Sequence, residues 1–221
     1  MNRLCAVAAV GVLAASSLPG VVGAASGERA ASYISPRNLD VQLSDVRRVY
    51  GSDYRFLLGR SIPNRQIASP SILTGLSTAA DALRGRIGGY IVEYVRKNGT
   101  ILVKGKLSVV PGLGSVSGVV NAYRDRTGPT LVLRDALRYR VANGAGLSYH
   151  VAPLKGVGDA AALHSFTSVQ PHGIPTAYGA IIIFRRGRYT VSLNFSSFKT
   201  MSMSRAVRLA KIIDNRIRRV R

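Results

Sequence analysis

Cysteine occurs once in these 221 residues, at Cys5, and tryptophan is absent. A lone thiol closes no intramolecular disulfide and builds no Cys-ligated zinc or iron–sulfur centre, which excludes a stapled mini-fold and such metal domains. Acidic side chains are scarce too: 10 Asp+Glu face 31 Lys+Arg, for a formal charge of +21. No close carboxylate pair stands on one element, as a glycosidase prefers. There is no H-E-x-x-H helix, no G-x-S-x-G elbow and no P-loop lysine. The histidines, His150, His164 and His172, are isolated in sequence. No catalytic, cofactor-binding or metal-ligating residue can be named from these patterns. The question of an enzyme stays open, and the residues weigh against one.

What is present bounds the rest. The hydrophobic share is 47%, so the cationic excess is not a disordered basic tail. The length suits one ordinary domain. Arginine dominates the cations, 25 Arg to 6 Lys. A domain this size must carry most of that charge on its surface, where it attracts polyanions.

The N-terminus reads as an export signal. Arg3 precedes the apolar stretch from Leu4 to Ala15, Pro19-Gly20 breaks it, and Val22-Gly23-Ala24 offers small residues for cleavage. The rival reading is an uncleaved anchor, but that needs roughly 20 apolar residues, and the clean run is shorter. Cys5 lies ahead of the apolar core, misplaced for lipid attachment. No later stretch is long and apolar enough to span a bilayer. The expected organisation is a signal peptide over 1–24, a linker or lead-in over 25–45, and one domain over 46–221.

Within that domain, Ser69-Pro70 with Ile72, Leu73, Leu76, Ala79, Ala80 and Leu83 predicts an amphipathic helix ended by Gly85. Asn98-Gly99 between residues 88–97 and 100–110 predicts a type I′ hairpin pairing Tyr94 with Val103 and Glu93 with Lys104. Val116, Val119, Val120 and Tyr123 fall at helical spacing. Gly128-Pro129 should break that helix, with a further one over 131–141. Strands are expected over 147–152 and 159–168. A second hairpin turns at Arg186-Gly187, with Phe184 facing Tyr189 and Ile182 facing Val191, one face well buried and the other partly. A basic amphipathic helix closes the chain over 201–220. Hairpins alternating with helices give an α+β fold, an antiparallel sheet flanked by helices.

Gly112-Leu113-Gly114-Ser115-Val116-Ser117-Gly118 is the one glycine-rich stretch. Its third glycine comes a place late for a dinucleotide fingerprint, so a turn with close packing is preferred. The cations gather at two places: Arg185, Arg186 and Arg188 at a hairpin tip, and Arg208, Arg216 and Arg219 on the last helix. A nucleic-acid reader would add exposed aromatics on a strand face. Tyr90, Tyr94 and Tyr189 instead fall on buried faces, which argues against nucleic acid.

Three segments carry a resemblance. They are Gly156-Val157-Gly158-Asp159-Ala160-Ala161-Ala162-Leu163, the hairpin from Ala180 through Phe184-Arg185-Arg186-Gly187 to Val191, and Ala206-Val207-Arg208-Leu209-Ala210-Lys211-Ile212-Ile213-Asp214. Together they resemble the closing part of uncharacterised extracytoplasmic domains of actinobacterial secreted proteins and lipoproteins, some of them similar to the Mog1/PsbP fold. The resemblance implies a secreted or cell-envelope protein and transfers no catalytic residue. The function expected is non-enzymatic binding of an anionic envelope component, or of an apolar ligand between sheet and helices. The alternatives are a small secreted hydrolase with a loop-built site and a secreted nucleic-acid or polyanion binder. Intact-mass measurement of exported material should show a chain starting near Ala25 without a thiol; retention of Cys5 would refute the cleavage.

Overall fold

Strands outnumber helices because β-branched and aromatic residues fill the middle of the chain. The computed structural model describes residues 34–63, 84–96, 101–103, 106–108, 114–139, 146–169 and 176–220. The helix expected over 69–85, the Asn98-Gly99 turn, His172 and the signal segment fall outside them. Ser35–Arg221 forms a compact unit.

Seven antiparallel strands make the main sheet: β1 (Tyr54–Ile62), β2 (Arg86–Arg96), β5 (Gly114–Tyr123), β6 (Leu147–Leu154), β7 (Ala160–Ser168), β8 (Ala177–Arg186) and β9 (Tyr189–Ser197). Their spatial order is β1-β2-β5-β9-β8-β7-β6, and β3 (Ile101–Val103) with β4 (Lys106–Ser108) forms a separate ribbon. Helices α1 (Pro36–Leu39), α2 (Leu43–Tyr50) and α4 (Met203–Arg219) cover one face; α3 (Thr127–Arg138) covers part of the other. The expected α+β class is therefore the observed one. Part of the expected lead-in lies inside the fold, since Leu39, Asp40 and Val41 are buried.

Three expectations are corrected. The first hairpin does not exist as drawn, because both edges of β2 are occupied: Tyr94 pairs with Phe56 on β1 and Val116 on β5, while Val103 pairs with Lys106. The stretch holding Val116, Val119, Val120 and Tyr123 is strand β5, not a helix. Both its faces are buried, so its apolar residues follow no clean period-2 alternation and mimic helical spacing. Gly128-Pro129 opens α3 instead of ending a helix. A proline in the first turn forfeits no intrahelical bond, since those N–H groups have no partner anyway.

The second hairpin forms, shifted by two residues. Arg186 pairs with Tyr189, Phe184 with Val191 and Ile182 with Leu193, across a two-residue loop in which Gly187 adopts φ 57°. A two-residue shift preserves which side chains share a face. Phe184, Ile182, Val191 and Leu193 therefore still meet, all fully buried. The opposite face is buried more completely than expected: Ile181 and Ile183 pack with Leu133 and Ala136 of α3 and Ala162 of β7.

The C-terminal helix forms essentially as expected, and its buried stripe is Ala206, Leu209, Ala210, Ile213 and Ile217. Ile213→Ala should cost about 2–5 kcal/mol in urea unfolding, as a large-to-small change in a closed core. Arg208→Ala on the outer side should stay within about 0.5 kcal/mol. Equal costs would mean that the helix is not held by this stripe.

Candidate functional site

The scarce carboxylates decide where the cations point. Arg186, the last residue of β8, sends Nε and Nη2 to the two carboxylate oxygens of Asp214 on α4, at 2.6 and 2.7 Å. Its Nη1 reaches Asp159 Oδ1 at 2.7 Å, and Asp159 Oδ2 accepts the Gly187 N–H at 2.8 Å. A bidentate guanidinium–carboxylate pair is directional as well as strong. The Asp214 hydrogen bonds lead the effects that raise the Arg186 pKa, burial opposing them. Asp214 is 3% exposed.

A second clamp lies two residues further along α4. Arg216 donates from Nη2 to Asp45 Oδ2 at 2.5 Å and from Nη1 to the Asp40 carbonyl at 2.6 Å. Asp45 also accepts the Gln42 N–H, closing a capping box at the start of α2. Tyr94 Oη donates to the Val41 carbonyl at 2.9 Å, which fixes the same strap to β2. Burial pushes the Tyr94 phenol up to about 12, and the neighbouring Asp40 and Asp45 add to the shift.

Asp40 itself is 1% exposed and rests against Gly118 of β5, where an added Cβ would meet its Oδ1 at 2.2 Å. Its Oδ1 accepts the Val41 N–H at 2.7 Å and its Oδ2 has no hydrogen-bond partner. Burial raises its pKa well above the ordinary carboxylate value, with the Val41 bond and Arg216 opposing.

These clamps empty the outer surface of the helical layer of negative charge. The only acids on α1, α2 and α4 are Asp45 and Asp214, and both are buried. Arg37, Arg47, Arg48, Arg205, Arg208, Lys211, Arg218 and Arg219 are exposed on those same helices. Of the six arginines singled out from sequence, Arg208 and Arg219 belong to this cationic layer. Arg186 and Arg216 are the two clamps. Arg185 stands 3.5 Å from Asp159, and the Arg188 guanidinium lies 5.7 Å from the Tyr189 ring centre. Arg205 lies on the outward face the last helix was expected to show, whereas Arg37, Arg47 and Arg48 carried no sequence signal beyond composition, because only the packing of α1 and α2 beside α4 joins them to it.

The two described histidines do not converge. On the paired strands β6 and β7, His150 lies opposite Ser165 and His164 opposite Val151, so the two rings point to opposite faces. His150 is exposed, whereas His164 is buried with Nδ1 2.7 Å from the Tyr149 hydroxyl. Among the described residues no group of three or more His, Cys, Asp or Glu side chains could hold a metal ion. The glycine-rich stretch from Gly114 to Gly118 is strand β5, without the loop-to-helix geometry that cradles a phosphate. A cavity of about 130 Å³ opens beside the start of α4, lined by Ser148, His150, Ser165, Thr167 and Met203 among others. Its wall is more apolar than polar, with Phe166, Met201 and Met203 set among the Ser148, Ser165 and Thr167 hydroxyls.

A solved structure shares this fold. It is the extracellular domain of PknH from Mycobacterium tuberculosis, matched with a TM-score of 0.54 at 14% identity over 82% of this chain and 93% of that one. At that identity the likeness speaks for the fold. No family model and no curated protein matches the chain.

Two outcomes test the geometry. Arg186→Glu would set a third carboxylate against Asp214 and Asp159, and breaking such a pair should cost about 3–5 kcal/mol. Urea unfolding should show that loss, whereas Arg208→Glu should leave stability nearly unchanged. Asp40 supplies a pH dependence. Its pKa is raised in the folded state, so the native chain holds that proton more tightly, and stability falls as pH rises from about 4 through the folded value. Asp40→Asn should flatten that fall in urea midpoints measured from pH 4 to 8. Parallel pH curves for the two proteins would refute a buried neutral carboxyl.

Proposed function

We propose that the chain is a non-enzymatic extracytoplasmic domain that docks on an anionic surface of the cell envelope through the outer side of α1, α2 and α4. One observation carries this reading: that layer exposes eight cations and no carboxylate, its two acids being drawn inward by Arg186 and Arg216. Cations near an anionic membrane contribute about 1 kcal/mol each, and the attraction decays within a Debye length. A rigid helical layer presents them together without the ordering cost of a flexible tail.

The location rests on separate support. The N-terminal pattern is that of an export signal, and the fold neighbour is an extracellular domain. No helix among the described residues is long and apolar enough to cross a membrane. Extracytoplasmic placement agrees with the resemblance to secreted actinobacterial domains.

Co-sedimentation with phosphatidylglycerol vesicles tests the reading. Binding should fall steeply with salt and vanish on phosphatidylcholine. Replacing Arg208, Lys211 and Arg219 with Gln should weaken it about tenfold or more, with an unchanged melting temperature. Replacing Arg124, Arg126 and Arg138, around α3 on the other side of the sheet, should change little. Equal losses from both sets would reduce the attraction to a property of the whole surface.

A further inference from the structure

Strand β1 is an edge strand with an unusual side-chain set. Phe56, Leu57 and Leu58 are consecutive and exposed, at 56, 43 and 37%. Among the described residues β1 pairs with β2 alone and no other strand lies along its outer side; the carbonyls of its end residues, Tyr54 and Ile62, accept from Arg47 and Arg86. Long apolar edges invite a further strand, and proteins normally blunt them. Here the bulge at Leu57 breaks the ladder between Phe56–Tyr94 and Leu58–Glu93, after which pairing runs unbroken from Leu58 to Ile62. The bulge places an extra apolar residue at the head of a regular edge.

Phe56 is exposed yet fixed. Its ring meets that of Tyr94 edge-on with centroids 6.2 Å apart. It also lies over Gly59, where an added Cβ would come within 3.0 Å of the Phe56 ring and 2.5 Å of the Tyr90 hydroxyl. An exposed aromatic packed edge-on against a buried ring suits an interface anchor, because that contact lowers the ordering cost of docking. Arg55 and Arg60, both exposed, flank the ledge. A second copy would bring the same two cations against it on a chain of charge +21, so self-pairing is opposed.

We propose that the outer edge of β1 from Leu58 to Ile62 receives an extended acidic segment of a partner polypeptide by strand addition. Main-chain hydrogen bonds supply the affinity, an apolar side chain of the partner rests on Phe56 and Leu57, and its carboxylates meet Arg55 and Arg60. This edge adjoins the helical layer, since α2 packs on β1 and Arg47 donates to the Tyr54 carbonyl, but strand addition there does not require that layer to bind lipid.

The probe is a capped nine-residue peptide alternating Glu and Val, titrated into the whole protein by fluorescence anisotropy, with amide exchange as a second readout. It should bind, and slow amide exchange within Leu58–Ile62. N-methylating alternate peptide amides leaves every charge in place, and on the docking edge should weaken binding about tenfold or more. Phe56→Ser should weaken it comparably while keeping the melting temperature, since that side chain is mostly outside the core. Exchanging Glu for Lys in the peptide should abolish binding. No binding, equal binding of the N-methylated peptide, or protection elsewhere than β1 would each overturn the proposal. So would concentration-dependent dimerisation that protects the same amides, since the occupant would then be a second copy. If Phe56→Ser unfolds, the N-methylated peptide against the native protein still decides.

Discussion

Two arginine–carboxylate clamps hold the last helix in place, and much of the molecule depends on them. Hydrophobic burial of Ala206, Leu209, Ala210, Ile213 and Ile217 supplies most of the energy, but a stripe of aliphatic side chains tolerates sliding and rotation. Arg186 gripping Asp214 from the hairpin tip, and Arg216 gripping Asp45 from the helix itself, fix both degrees of freedom. A buried pair of this kind is weak in net stabilisation and costly to break, so its main effect is on which arrangement is allowed. The same two pairs remove negative charge from the outer surface. Fold specificity and the cationic layer are thus one arrangement seen from two sides.

The sequence was legible where contacts are local and ambiguous where they are not. The closing hairpin was recovered in its faces though not in its register, because a two-residue shift leaves the period-2 pattern unchanged, and only the loop geometry at Gly187 separates the two. Strand β5 was misread for a related reason. A strand buried on both faces loses the alternation that identifies strands, and Val116, Val119, Val120 and Tyr123 then satisfy helical spacing by coincidence. Asn98-Gly99 suggested a local partner for β2, but the strand's actual neighbours are β1, the strand before it, and β5, beyond the β3–β4 ribbon.

The candidate site shows the same limit more sharply. Composition announced a cationic surface, yet it could not say which arginines reach solvent. Arg186 and Arg216 look no different in sequence from Arg188 and Arg219. Their partners stand 28 and 171 residues away, at Asp214 and Asp45. Ten carboxylates for thirty-one cations is a shortage only until packing shows that several of them face inward.

The strand order also dictates when the protein can finish folding. Strands β6 to β9 are neighbours in both sequence and space, so that half can assemble from short-range contacts as a meander. Strands β1, β2 and β5 reach it only through β5 pairing with β9, and the clamp of Arg216 on Asp45 joins residues 171 apart. A chain emerging from its N-terminus therefore presents Asp40 and Asp45 before the cation that will hold them has been made. Long-range closure of this sort slows folding, and it leaves the strap of α1 and α2 without its clamp until α4 has been made.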